Sequence, residues 1–318
     1  MRVFVAGASG AVGSRLVRLL VSAGHSVVGL TRTPAKADAI RRAGAEAAVA
    51  DALNRAAIVK AVANAKPDVI VHEMTSLGGA SDLRRFGRSF APTNLLRTQG
   101  LDNLLAAARQ AGSPRIVAQS FCGWPYAREG GPVKSETDPL DPDPPRELRR
   151  TLDVIRYLEN GVTASSEIAG IVLRYGAFYG PGTGLFDGPV IDRLRRRRMP
   201  LIGDADGWWS LLHIDDAAAA TAIAVERGAP GIYNIVDDEP APARDWLLTL
   251  AAMLGAKPPP RIPEWLARIF AGEHIVVLMT EARAGSNAKA KRDLAWQPKY
   301  GSWRQGFAAV LSRPHFAE

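Results

Sequence analysis

Of the 318 residues only one, Cys122, is a cysteine, so no internal disulfide can form and a reducing, cytoplasmic setting is expected. No apolar run approaches the roughly 18 residues that a membrane span requires. The opening Met1-Arg2-Val3 leads straight into a strand, with no secretory leader expected ahead of it. Histidines are few, and those at 25, 72, 213, 274 and 315 stand too far apart for ligand spacing, so no metal is expected. Acidic residues are outnumbered, 32 against 40 Lys plus Arg, which leaves a net charge of +8. That surplus is scattered except at Arg195-Arg196-Arg197-Arg198, the end of a helical stretch from Val190, where cations complement the helix dipole. No nucleic-acid reading motif accompanies it. An anionic cofactor or substrate is the simpler partner for such a surface.

What the chain does have is a strand, a glycine turn and a helix at its start. Arg2-Val3-Phe4-Val5-Ala6 runs into Gly7-Ala8-Ser9-Gly10-Ala11-Val12-Gly13, and an apolar helix face follows at Leu16, Leu19, Leu20 and Ala23. Glycines at that spacing allow a tight turn, close backbone approach to a phosphate and close helix–strand packing, while the helix N-terminus offers NH donors and a positive dipole end. Beyond this unit, strands at 26–30, 47–50, 69–72, 115–118 and 168–173 alternate with helices at 36–43, 56–63, 93–111 and 147–159. The alternation predicts an α/β fold, a doubly wound parallel Rossmann sheet with a smaller C-terminal substrate-binding lobe. Its dinucleotide-binding domain is expected over 1–165, with strands near 168–180 and 210–236 returning to it, and the lobe over most of 181–318. Tryptophans at 208, 209, 246, 265, 296 and 303 are assigned to that lobe.

At this point the chain resembles the extended short-chain dehydrogenase/reductase family, of the NAD(P)-dependent epimerase/dehydratase type. The resemblance rests on the glycine motif at 7–13, Asp51-Ala52, Thr93-Asn94-Leu95, Ala118-Gln119-Ser120, the stretch from Leu173-Arg174-Tyr175 to Tyr179-Gly180-Pro181-Gly182, His213-Ile214-Asp215-Asp216 and Leu294-Ala295-Trp296-Gln297-Pro298. It implies a cofactor site built from Gly7, Ser9, Gly10, Ala11, Val12, Gly13, Arg32, Lys36, Asp51, Ala52, Met74, Thr75, Asn94, Arg149, Tyr175, Ala177 and Phe178. It also implies a catalytic position at Ser120, a homodimer through helices 94–111 and 147–159, and a role for His213 in ordering its strand and loop.

The second strand ends Leu30-Thr31-Arg32, without the acidic residue that accepts from an NAD ribose hydroxyl. Arg32 offers a planar cationic fork suited to a 2′-phosphate, with Lys36 one turn on, so NADP is the expected cofactor and NAD the second choice. Two departures from the family follow. The Tyr-x-x-x-Lys pair that relays a proton beside hydride transfer is missing: no tyrosine lies between 127 and 156 and no lysine between 135 and 256, and Arg149 stands near the lysine's place. Tyr126 is the nearest phenol that could substitute. Second, the arginine that clamps a nucleotide-sugar diphosphate is replaced by Trp209, beside Trp208, which favours a smaller apolar substrate, with Cys122 and Trp124 at the same pocket. The expected activity is that of an NAD(P)-dependent oxidoreductase or epimerase-like enzyme acting on a carbonyl or hydroxyl. A cofactor-binding sensor without turnover and a nucleotide-sugar epimerase/dehydratase are the alternatives.

Overall fold

The computed structural model describes residues 1–77, 85–186 and 189–312. Seven parallel strands make the central sheet: β1 (Arg2–Ala6), β2 (Ser26–Thr31), β3 (Glu46–Val49), β4 (Val69–His72), β5 (Arg115–Phe121), β6 (Ala169–Tyr175) and β7 (Gly231–Ile235), in the spatial order β7-β6-β5-β4-β1-β2-β3. Strand order reverses between β1 and β4, which opens a crevice at their carboxyl ends. The central strands are nearly continuous apolar runs, Val3-Phe4-Val5-Ala6 and Val69-Ile70-Val71, because helices cover both faces of the sheet.

On one face, α1 (Ala11–Ser22) and α8 (Ile214–Glu226) bury Leu16, Leu20, Ala217 and Ala224 against Val3, Val5 and Val71. On the other, α3 (Arg55–Ala65), α5 (Leu101–Ala111) and α6 (Arg146–Thr163) bury Ile58, Leu101, Leu104, Leu158 and Val162 against Phe4, Ile70 and Ile116. The α2 helix (Pro34–Arg42) follows β2, and α4 (Phe86–Leu95) leads into α5 through one π-helical turn, Leu96–Gly100. The single helix expected from 93 to 111 is therefore longer and carries a widened turn.

A second core gathers Tyr179, Leu201, Trp246, Trp303 and Phe307 beyond the sheet. It draws on α7 (Pro189–Arg195), α9 (Ala243–Met253), α10 (Glu264–Ala271), α11 (Glu273–Thr280) and α13 (Trp303–Leu311), with the short α12 (Ala288–Asp293) lying against β7 instead. One of the tryptophans expected in this lobe goes elsewhere: Trp296 packs into the core on the α1–α8 side of the sheet. Trp265 stays with the lobe on α10 but is exposed. The stretch expected to be helical to Arg198 ends at Arg195 as a helix, and Arg197 adopts a left-handed backbone with φ 55°.

Candidate active site

Gly7 stands at φ 94°, and a Cβ there would meet the Glu73 carbonyl at 2.5 Å, so the turn after β1 can close only around glycine. A Cβ at Gly13 would drive into the Gly7 carbonyl, so α1 approaches β1 only because that residue also lacks one. Gly10 caps α1 without any side-chain hydrogen bond. Amide hydrogens at Ala11, Val12 and Gly13 thus stand at a helix N-terminus that no described side chain caps by a hydrogen bond, a cradle for phosphate oxygens. Ser9 Oγ lies 3.4 Å from Thr31 Oγ1 and ties this turn to the end of β2. Arg32 and Lys36 are exposed just beyond, and Lys36 shares a surface cleft with Ser9, Ser14 and Arg18, a residue that sequence reasoning missed. Asp51 is exposed and accepts from Leu53 N–H at 3.0 Å, and Ala52 is buried beside it with its carbonyl held by Asn103. These residues suit a dinucleotide: an uncapped amide cradle for the diphosphate and free cations at the end of β2 for a 2′-phosphate.

The other expected cofactor residues line the carboxyl rim of β4 to β6. Met74 is buried just past β4, and Thr75 is exposed next to it. Asn94 is buried on α4 and donates from Nδ2 to Thr151 Oγ1 of α6 at 3.1 Å. Arg149 lies apart from them: it is exposed and donates to Asp143 at 2.9 Å. Thr151, not Arg149, is the α6 side chain that reaches Asn94. Phe178 sits 5.4 Å from the Tyr175 ring, and Ala177 pairs with Leu211 across a short parallel ladder.

Beneath the rim runs a buried polar network. Ser120 Oγ donates to Glu159 Oε1 at 2.7 Å, and Arg174 binds the same carboxylate twice, Nε to Oε1 at 2.7 Å and Nη2 to Oε2 at 2.6 Å. Arg174 Nη1 donates to the Tyr126 hydroxyl at 3.0 Å, which donates in turn to Asn234 Oδ1 at 2.7 Å. Tyr126, expected as a phenol near the reacting atoms, therefore has its hydroxyl committed inside the protein, and burial pushes its pKa up. Glu159 and Arg174 are the functional neighbours that sequence reasoning did not connect: each reads alone as a charged residue, and only the strand register that sets Ser120 opposite Arg174 brings them together.

A second chain of contacts crosses the rim. Thr221 Oγ1 donates to Ala217 O at 2.7 Å and lies 2.6 Å from the Tyr175 hydroxyl. The Tyr175 hydroxyl donates to Glu73 Oε1 at 2.7 Å. Burial pushes the Glu73 carboxyl up to about 8, against that hydrogen bond. His72 is fully buried and held neutral, its pKa pushed by burial down to about 4, so Nε2–H donates to Leu96 O at 3.1 Å and Nδ1 accepts from Met74 N–H at 3.3 Å.

The substrate residues expected from sequence do come together. Cys122, Trp124, Trp208 and Trp209 line one small cleft with Phe121, Ala177 and Leu278. Trp209 Nε1 donates to Leu278 O at 3.0 Å, which leaves its ring face for the cleft, and Trp124 packs edge-on to Phe86 at 5.8 Å. Among the described residues Cys122 is the one titratable side chain in this lining, and burial pushes its thiol up, away from nucleophilic use. His213 accepts from Asp215 N–H at 3.1 Å and caps α8, an ordering role. Among the described residues no cluster of His, Cys, Asp or Glu is placed to hold a metal, and no helix is long and apolar enough to cross a membrane. His315 lies outside the described residues.

The NAD dependent epimerase/dehydratase family matches residues 3–236. A 3-diazoavenalumate denitrifying reductase from a Streptomyces species is 42% identical over 308 residues, covering 96% of this chain and 99% of its own length. The 2-alkyl-3-oxoalkanoate reductase of Stenotrophomonas maltophilia is 29% identical, covering 80% of this chain and 76% of its own. Among solved structures, the UDP-glucose 4-epimerase of Thermus thermophilus in complex with NAD superposes with a TM-score of 0.74 at 24% identity over 100% of both chains.

Proposed function

The chain belongs to the NAD dependent epimerase/dehydratase family, and from that premise we propose that it is an NADPH-dependent reductase of a small, apolar, carboxylate-bearing molecule, with reductive removal of a diazo group as its reaction. The observation that carries this reading is the cleft itself. Tryptophan and phenylalanine faces form its walls, and among the described residues lining it the one titratable group is a buried thiol, so these residues offer stacking surface and no proton relay. Ketone reduction consumes a proton at oxygen, which is the task of the missing tyrosine–lysine pair. Removal of a diazo group needs no proton in the hydride step itself: a neutral diazo compound takes one proton from solvent to become the diazonium R–N2⁺, then R–N2⁺ and H⁻ give R–H and N2, and the two electrons of the hydride balance the step. The 42% identity to a reductase named for a diazo substrate supports the same choice.

When bound, the nicotinamide dinucleotide supplies the hydride. The protein's part is placement. Gly10 to Gly13 hold the diphosphate, and Arg32, Lys36 and Ser9 take the 2′-phosphate, which sets NADP above NAD. Met74, Thr75, Asn94, Tyr175, Ala177 and Phe178 line the rim where the nicotinamide half belongs. Ser120 and Tyr126, fixed by Glu159 and Arg174, keep the floor rigid. Trp124, Trp208 and Trp209 exclude water and stack on the substrate. A cytoplasmic homodimer formed through the outer faces of α5 and α6, where Tyr157 stands exposed beside Asp102, completes the proposal.

The test is NADPH consumption at the reduced-nicotinamide absorbance band with a panel of diazo carboxylates and the matching ketones. The expected result is one N2 released per NADPH consumed with a diazo compound, and much slower consumption with every ketone. Silence with all diazo compounds alongside brisk ketone reduction would reject the assignment.

A further inference from the structure

One buried cation in this site has no use so far. Arg97 lies on the π-helical turn between α4 and α5 and is only 3% exposed. Its Nε has no hydrogen-bond partner, and no described residue accepts from its other N–H groups. Among the described residues the two carboxyls near enough to feel its charge are Glu159 and Glu73. Neither accepts a hydrogen bond from it: Glu159 takes the two-pronged bond from Arg174 and one from Ser120, and Glu73 Oε1 accepts from Tyr175. The cluster therefore holds a buried guanidinium whose N–H groups no described residue answers, and unmet buried donors cost stability unless a ligand answers them.

The backbone is built to present this side chain. His72 donates to Leu96 O, the carbonyl that opens the π turn, so a buried imidazole at the end of β4 braces the widened turn from below. Such turns cost regular hydrogen bonding and recur at functional positions. Asn94, Arg97, Leu101 and Leu104 lie on one inward face, and Arg97 is the one of them set between the carboxyl ends of β4 and β5 by its two neighbours, Glu73 just past β4 and the Ser120-bound Glu159. In a strand–glycine-turn–helix unit the dinucleotide runs from the first helix across the crevice to those ends, which brings the nicotinamide ribose there.

Resting on the cofactor reading above, we propose that Arg97 binds the hydroxyl oxygens of the nicotinamide ribose. It thereby takes the anchoring part of the lysine that this chain lacks, without that lysine's proton relay. A guanidinium suits the task, since it donates in a fixed fork and never gives up its proton.

Calorimetry with two ligands tests this. NADPH carries the nicotinamide ribose, and 2′,5′-ADP carries only the adenosine half. Arg97→Met is expected to weaken NADPH about tenfold or more, the worth of a charge-assisted hydrogen bond, and to leave 2′,5′-ADP within about twofold. Arg97→Lys is expected to keep NADPH within about fivefold, because a donor cation remains. The ligand-free melting temperature of Arg97→Met should be equal to or above that of the wild type, since an unanswered buried charge has been removed. Equal losses for both ligands, unchanged NADPH affinity, or a lower ligand-free melting temperature in both variants would each overturn the assignment by making Arg97 structural or idle. A wild type that binds neither ligand would refute the cofactor reading itself, and this inference with it.

Discussion

Single residues decide whether the opening turn can bind anything. Gly13→Ala places a methyl against the Gly7 carbonyl, so α1 must retreat from β1. We expect a stability loss of about 1–3 kcal/mol, the usual range for overpacking, and an NADPH affinity that falls further than stability does, both read by thermal melts with and without cofactor. Glu73 gives a pH signature. Its folded pKa of about 8 lies above the 4.5 of an exposed glutamate, so the folded state keeps a proton that the unfolded chain gives up. Its contribution is present below about 4.5 and is lost as pH rises to about 8. Glu73→Gln keeps an acceptor for Tyr175 and removes the titration, so the variant should gain melting temperature over the wild type progressively across that interval. Asp237, pushed by burial up to about 9, acts in the same direction, and His72 acts oppositely as pH falls through about 4, but both are present in each protein and drop out of the difference. Parallel curves for wild type and variant would show that Glu73 is not a neutral, buried acid.

At the scale of elements, α6 is tied to the sheet by the buried Glu159–Arg174 pair as much as by its apolar face. Arg174→Leu should cost about 3–5 kcal/mol because Glu159 is left charged and alone, and adding Glu159→Leu should recover part of that loss. Urea titrations of both variants measure it, and a double variant that is less stable than the single would mean that the pair is worth more than a well-packed apolar contact. These elements also set what was legible in sequence. The parallel strands were plain, since burial on both faces forces apolar runs such as Val69-Ile70-Val71. The glycine turn was plain because two of its positions, Gly7 and Gly13, are sterically obligatory. Arg97 was not. A lone arginine among Leu95, Leu96 and Thr98 reads as solvent-facing, and the π turn that rotates it inward leaves no mark in composition. The one available signal was its spacing, three residues after Asn94 and four before Leu101, which puts a charge on the buried face of the helix. The network of Tyr126, Asn234, Arg174 and Glu159 was equally hidden, because its members are joined by strand register across more than 100 residues of sequence. By contrast, that Trp124, Trp208 and Trp209 share one cleft was legible, since loss of a phosphate-binding arginine and gain of indole at one position is a chemical change visible without coordinates.

For the whole molecule, the sheet opens a crevice at the carboxyl ends of β1 and β4, and a separate cleft is lined by aromatic side chains. Trp209→Arg would restore a cation at the cleft and remove one stacking face. We expect it to raise KM for an aromatic substrate about tenfold or more with little change in NADPH affinity, because Trp209 lies in the aromatic cleft proposed for substrate and not at the glycine turn. Steady-state kinetics beside calorimetry resolves the two, and a matching fall in NADPH affinity would place Trp209 at the wrong site. The account as a whole stands on the amide cradle and the cations at the end of β2. Its most direct test is titration calorimetry of NADPH and NADH into the ligand-free protein. One NADPH per chain should bind, at least about tenfold tighter than NADH, with Arg32→Ala erasing most of the difference through loss of charge-assisted hydrogen bonds. If neither dinucleotide binds, or if Arg32→Ala weakens both alike, the account is contradicted at its base.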